Sequence, residues 1–461
     1  MQLSQLAAWM HSGPPWILGA AGLFLAGCLA WRHAAGDVHK RGARVLGGPR
    51  ARRAARRRGA VREACVELAG VRIAPAEETR HFKLIGTTGS GKSTAIAALL
   101  SAALRRGDRA VITDADGGYA ARFYERRRAD VILNPFDARS VKWDPFAEIL
   151  APWDVEQLAS GLIPSSEDSA AREWRGYART FLTAIMRRCC ECGRTDSREL
   201  WRLLTVAPSV ELRPLVAGTP AQPFLEPENA RMFGSIRAVA GSAAAAFEYV
   251  QAQRARGFSI RHWVRAGQGA LFLPYGAAQI AALRSIIATW VRLAIFEAMS
   301  RPEEDQRLWF IVDELDSLGA IEGLKDALAR LRKFGGRCVL GFQSIAQVSA
   351  TYGGGEAQTI VENCGNTLIL RCAGSEHGGT SQFASRLIGE REVIRRHTAR
   401  GRDREGLFAP RGARRSTNVS EQHVMESAVL AAELEQLPDL SGYLKTAAAP
   451  HWLRVSFRRA G

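Results

Sequence analysis

The chain has 461 residues, enough for two or three domains, and its hydrophobic share of 47% is that of an ordinary globular protein. Its eight cysteines lack the spacing of a secreted disulfide framework, which excludes a disulfide-stapled scaffold. A net charge of +17 and a pI near 10.1 point to nucleic acid or an anionic membrane surface.

The first element is apolar. Residues 14–31 read PPWILGAAGLFLAGCLAW, and His11 apart, no charge precedes Arg32. The 16 residues from Trp16 to Trp31 fall a little short of the roughly 20 that span a bilayer. Tryptophans at both ends fit the interfacial belt, and basic residues follow the run, so the positive-inside rule leaves the remainder in the cytoplasm. A secretory signal needs Lys or Arg before the run, and none is there. Leu25-Ala26-Gly27-Cys28 resembles a lipoprotein cleavage box, but cleavage would export GTTGSGKST at 86–94, a stretch of the kind that grips nucleotide phosphates, to a compartment without nucleotide. The expectation is one membrane anchor over residues 1–31.

Residues 1–62 hold eleven Lys/Arg against the single acid Asp37, +10 of the chain's +17. Residues 32–62 show no apolar period and read as a juxtamembrane linker. Lipid headgroups, DNA phosphate or a plain topology signal would each account for the charge.

From residue 81, strands and helices alternate. His81–Ile85 is a short apolar strand that enters Gly86-Thr87-Thr88-Gly89-Ser90-Gly91-Lys92-Ser93-Thr94, and a helix follows. This is G-x-x-x-x-G-K-[ST] in its confirming context. Glycines let backbone N–H groups wrap a β-phosphate at a helix N-terminus. Lys92 reaches the β- and γ-phosphates, and Ser93 ligates Mg²⁺. Further strands are expected at Arg109–Thr113 and Asp130–Leu133.

Residues 154–215 and 226–256 have helical spacing and few strand formers. Trp174, Tyr177, Phe181 and Ile185 recur every three or four residues, as on one helix face. We expect an all-α domain over 151–259, inserted into a nucleotide-binding domain over 63–150 and 260–461. Cys189, Cys190 and Cys192 lie within the insertion. They read as metal ligands or as reduced thiols on a helix, and no second ligand pair follows at a suitable spacing.

Strands return at Gly269–Pro274, Leu308–Val312, Cys338–Phe342 and Thr367–Leu370. Apolar strands alternating with helices mean an α/β fold with a parallel, covered sheet. LWFIVDEL ends in two acids, where Asp313 would complete the Mg²⁺ shell. Glu314 would polarise the attacking water, a pairing that favours a hydrolase over a small-molecule kinase. Gln343 ends the next strand and reads as a γ-phosphate sensor or a surface side chain. Residues 386–415 carry ten arginines against four acids and read as a Gly-rich loop, either disordered or touching phosphate.

In order, HFKLIGTTGSGKS, VILNPFDARSVKWDPFAEI, LWFIVDELDSL, GFQS, EAQTIVENCGNTLIL, SRLIGEREV and LEQLPDLSGYL resemble the type IV coupling proteins of bacterial conjugation, of the TraD/TrwB type. The resemblance covers residues 81 to about 457. It implies a RecA-like P-loop ATPase using ATP and Mg²⁺, assembled as a homohexamer at the bacterial inner membrane. It implies that the ring recruits a relaxase bound to single-stranded DNA and pumps the strand to a type IV secretion channel. Members commonly have two membrane helices, and one candidate is found here. Some members carry an arginine finger in a Ser-Arg sequence after the strand at 367–370. Ser375-Glu376-His377 stands there instead, and Arg371 at the strand end reads as a substitute finger or as an ordinary salt-bridged residue. The same engine would serve a double-stranded DNA translocase of the chromosome-partitioning kind. A non-motor receptor locked by nucleotide would also keep the phosphate loop.

Overall fold

The computed structural model describes residues 38–57, 65–166, 168–302, 306–376, 378–403 and 414–458. These form two compact units, one of residues 45–385 with 430–458, the other of 38–44 with 386–429.

The larger unit is built on a ten-stranded sheet. In spatial order its strands are Val45–Leu46, Trp452–Ser456, Ser441–Lys445, Asn366–Ile369, Phe82–Ile85, Gly336–Phe342, Leu308–Val312, Arg109–Ala115, Ala270–Tyr275 and Val131–Ile132. From Asn366–Ile369 to Val131–Ile132 every pairing is parallel, whereas Ser441–Lys445 runs antiparallel to both of its neighbours. The central strands Phe82–Ile85, Leu308–Val312 and Gly336–Phe342 are buried along their whole length. That burial explains their unbroken apolar runs, since helices cover both faces of a parallel sheet. The seven strands expected from the sequence are all present.

Helices Asp154–Leu162, Ser169–Glu191, Ser197–Thr205, Ser209–Val216 and Ala230–Ala252 occupy the inserted stretch. Asp168 caps the second of them, its carboxylate accepting the N–H of Ala170 at 2.8 Å. Phe181 and Ile185 are fully buried, and the Phe181 ring meets Phe233 of the Ala230–Ala252 helix edge-on at 5.2 Å. Trp174 and Tyr177 are only half-buried. The anticipated face is therefore complete in its C-terminal half. Cys189 is buried, Cys190 half-buried and Cys192 exposed, and among the described residues no His, Cys, Asp and Glu group could hold a metal ion.

Two segments differ from expectation. The basic stretch 32–62 was anticipated as a linker, yet Val45–Leu46 pairs in parallel with Trp452–Leu453 and Gly48–Arg57 is a helix. Ala51 is buried in the core, with Ala54 and Ala55 packed against it and Arg50 and Arg53 exposed. A stripe of alanines between arginines is too small to register as an apolar period. In the smaller unit, residues 390–403 and 414–415 of the anticipated loop 386–415 belong instead to a two-stranded ribbon of Glu390–Asp403 with Arg414–Ser427, joined by Val38–Gly42. Two of its arginines are cross-strand partners of acids, Arg391 with Glu426 and Arg396 with Glu421, both at 2.8 Å. The apolar run 16–31 lies outside the described residues. Among the described residues no helix is long and apolar enough to cross a membrane.

A buried ionic cluster ties the larger unit together. Both Glu78 carboxylate oxygens accept from Arg106 at 2.8 Å, and Arg337 Nε donates to the same carboxylate at 2.8 Å. Arg106 also pairs with Asp108, which accepts from Trp309 Nε1 at 2.8 Å. Glu78 is fully buried and Arg337 nearly so. Removing the acid leaves two guanidiniums short of a counter-charge in a desolvated site. Glu78→Ala should therefore cost about 3–5 kcal/mol of stability, read as a lower urea midpoint.

Candidate nucleotide-binding site

Five strand ends converge at the carboxyl edge of the sheet. Ile85 leads into Gly86–Thr94, Val312 into Asp313-Glu314, Phe342 into Gln343, Ala115 into the turn before Tyr119, and Ile369 into Arg371. The Gln343 strand lies between the phosphate-loop strand and the Asp313 strand, so Gln343 has one site residue on each side.

The loop itself is fixed by backbone contacts. Thr87 N–H and Oγ1 donate to the Arg371 carbonyl at 2.8 and 3.2 Å, Gly86 N–H donates to the Phe342 carbonyl at 3.3 Å, and Ser90 Oγ donates to the Thr87 carbonyl at 2.7 Å. Gly91 caps the Lys92–Arg105 helix at φ +108°, a conformation that a side chain strains. A Cβ there would meet Leu440 Cδ2 at 2.6 Å. Leu440 N–H in turn donates to the Ser90 carbonyl at 2.9 Å, so residues near the C-terminal strands brace the loop from outside. Thr88 and Gly89 are exposed at its tip, and Thr94 is half-buried in the first helical turn.

Ser93 Oγ donates to Asp313 Oδ2 at 2.6 Å. Lys92 Nζ and Asp313 Oδ1 are both buried and, among the described residues, have no hydrogen-bond partner. Two orphaned groups of opposite charge at a helix N-terminus fit a polyphosphate with a divalent cation. Phosphate oxygens would satisfy Lys92, and the hard oxygen donors Ser93 and Asp313 suit Mg²⁺. Glu314 Oε1 accepts from Gln343 Nε2 at 2.6 Å, and Gln343 Oε1 accepts from Thr88 Oγ1 at 2.9 Å. One side chain thus joins the phosphate loop to the second acid. Close approach makes this possible, since a Cβ on Gly341 would stand 2.2 Å from the Asp313 carbonyl.

Arg371 is placed differently. Its carbonyl holds Thr87, while its guanidinium pairs with Asp439 of the same chain at 2.8 Å.

Tyr119 was not anticipated. Its hydroxyl donates to Asp313 Oδ2 at 2.8 Å, and the residue is buried. Burial, and then the neighbouring Asp313 charge, push its phenol well above the usual tyrosine range, so it remains a donor at neutral pH. Asp114 positions it by accepting the N–H groups of Tyr119 and Ala120 at 2.9 and 2.6 Å, although burial raises that carboxyl. The acid-rich strand tip Thr113-Asp114-Ala115-Asp116 was the available signal.

Residues 65–458 match the family model of the type IV secretion-system coupling protein DNA-binding domain. The chain is 32% identical over 382 residues to coupling protein TraD of Escherichia coli (strain K12), 80% of this chain and 51% of that protein. It therefore spans about half the length of that curated relative. Plasmid coupling protein TrwB in complex with the non-hydrolysable ATP analogue ADPNP superposes with a TM-score of 0.79 at 31% identity, covering 92% of this chain and 95% of that one. TrwB in complex with ADP and Mg²⁺ gives 0.80 at 30% identity, over 93% and 95%.

Gly91→Ala should lower nucleotide affinity by roughly an order of magnitude, about 1.4 kcal/mol of backbone strain, without unfolding the sheet. Titration with a fluorescent nucleotide analogue measures this.

Proposed function

The chain belongs to the type IV secretion-system coupling proteins, and from that premise we propose that it is an ATP-driven motor. It binds ATP with Mg²⁺, recruits a relaxase carrying single-stranded DNA, and moves the strand toward a type IV secretion channel during conjugative transfer. The observation that carries this reading is the bridge Thr88–Gln343–Glu314, which ties an acid suited to hydrolysis directly to the phosphate grip. The complexes of TrwB with ADPNP and with ADP and Mg²⁺ support the choice of ligand.

Lys92 neutralises charge on the β- and γ-phosphates. Ser93 and Asp313 would hold Mg²⁺, which would supply further charge neutralisation beside the phosphates. Tyr119 fixes the Asp313 rotamer. Gln343 holds Glu314 until a γ-phosphate draws on its amide, and Glu314 then takes the proton of the attacking water.

The proposal places residues 1–31 as a single-pass anchor in the bacterial inner membrane, with the ATPase in the cytoplasm. It assembles the chain as a homohexamer. Arg371, released from Asp439, acts on the nucleotide of the neighbouring subunit.

Lys92→Ala should abolish nucleotide binding and turnover together. Glu314→Gln should keep binding and lower kcat by roughly 10²- to 10⁴-fold. Single-stranded DNA should raise wild-type turnover more than duplex does. Turnover indifferent to DNA supports a nucleotide-locked receptor instead, and stronger stimulation by duplex supports a double-stranded translocase.

Mixing Arg371→Ala subunits with Glu314→Gln subunits should restore part of the turnover, because some interfaces then pair an intact Arg371 with an intact Glu314. Absence of rescue at every ratio, with assembly confirmed by light scattering, removes the trans role.

A further inference from the structure

On the carboxyl side of the edge strand Val131–Ile132, two aromatic rings meet at the surface. The Phe136 and Tyr249 centroids are 4.7 Å apart at 55°, and the residues are 43% and 37% exposed. The Phe136 loop is held rigidly. Asn134 Oδ1 accepts the Phe136 N–H at 2.8 Å, while Asn134 Nδ2 donates to the Pro274 carbonyl at 2.9 Å. The aromatic pair is therefore presented to solvent by a braced loop on one side and by the Ala230–Ala252 helix on the other.

Basic residues frame it. The Arg139 guanidinium lies 5.6 Å from the Tyr124 ring centroid, and its side chain is 55% exposed. Lys142 N–H donates to the Arg256 carbonyl at 3.0 Å, which sets the exposed Arg254 and Arg256 beside the same loop. The acids nearby are Asp137, already held by Arg139 at 2.7 Å, Asp144, whose Oδ1 accepts the Phe146 N–H at 3.0 Å, and exposed Glu248.

We propose that Phe136 and Tyr249 form a stacking platform for the bases of single-stranded nucleic acid, with Lys142, Arg254 and Arg256 holding its phosphates. The proposal rests on the reading that the chain handles such a strand, and it assigns residues to the contact. Every base offers a π-face, so aromatics amid cations bind a strand without reading its sequence. A duplex keeps those faces stacked internally and would meet only the basic residues.

The test is fluorescence anisotropy of a labelled oligothymidylate on the full chain, at several salt concentrations. Phe136→Ala with Tyr249→Ala should weaken binding by roughly 5- to 150-fold for each base unstacked. Phe136→Trp should retain it. Arg254→Gln with Arg256→Gln should reduce the slope of log affinity against log salt by about 1.4, the value for two phosphate contacts on a single strand. Unchanged ATP-analogue binding and Tm in each variant confirm the fold. Wild-type affinity in the aromatic double variant overturns the platform and leaves the motor reading intact. An equal loss on a duplex of the same length also overturns it, because the residues then serve phosphate alone. A wild-type chain with neither oligonucleotide binding nor DNA-stimulated turnover overturns both readings.

Discussion

The site depends on the register of three parallel strands. Ile85 pairs with Phe342 on one side and with Ile369 on the other, so the three loops that follow leave the sheet at one level. Val312 pairs with Leu340 and with Thr113, which brings the next two loops to the same edge. A slip of one residue in any of these pairings would turn Lys92, Gln343 or Asp313 away from the others. The buried apolar runs fix that register, and the polar residues begin immediately beyond them. Binding at the carboxyl ends of parallel strands follows from this geometry.

The phosphate-loop motif, the Asp313-Glu314 pair and Gln343 could be singled out in the sequence because each is a local event, a continuous apolar strand ending in polar residues. The central strands were legible for the same reason. Tyr119 was not, since its role depends on Arg109–Ala115 lying beside Leu308–Val312, which no local pattern states. Asp439 and Leu440 were visible only as part of the stretch LEQLPDLSGYL, with nothing in the letters to set them against Gly91 and Arg371. The family resemblance carried what local chemistry could not, namely membership among the coupling proteins, which a phosphate loop alone does not specify.

Charge misled in two places. Arginine density between 32 and 62 and between 386 and 415 reads as solvated chain when counted. Resolved residue by residue, the first segment hides alanines that pack on the core, and the second hides cross-strand ion pairs. Long basic side chains stand on both faces of the ribbon, so no period of two shows in the letters.

Leu440 braces a loop that lies near the other end of the sequence. During synthesis, the GTTGSGKST stretch leaves the ribosome long before the segment that closes on it. Until Leu440 reaches the Ser90 carbonyl, the emerging chain holds the phosphate-binding letters without their outer support. Nucleotide stabilises only a conformation able to bind it, so ATP joins the folding of this protein as a late ligand. Nucleotide binding thus favours subunits in which the Leu440 segment has closed on the phosphate loop.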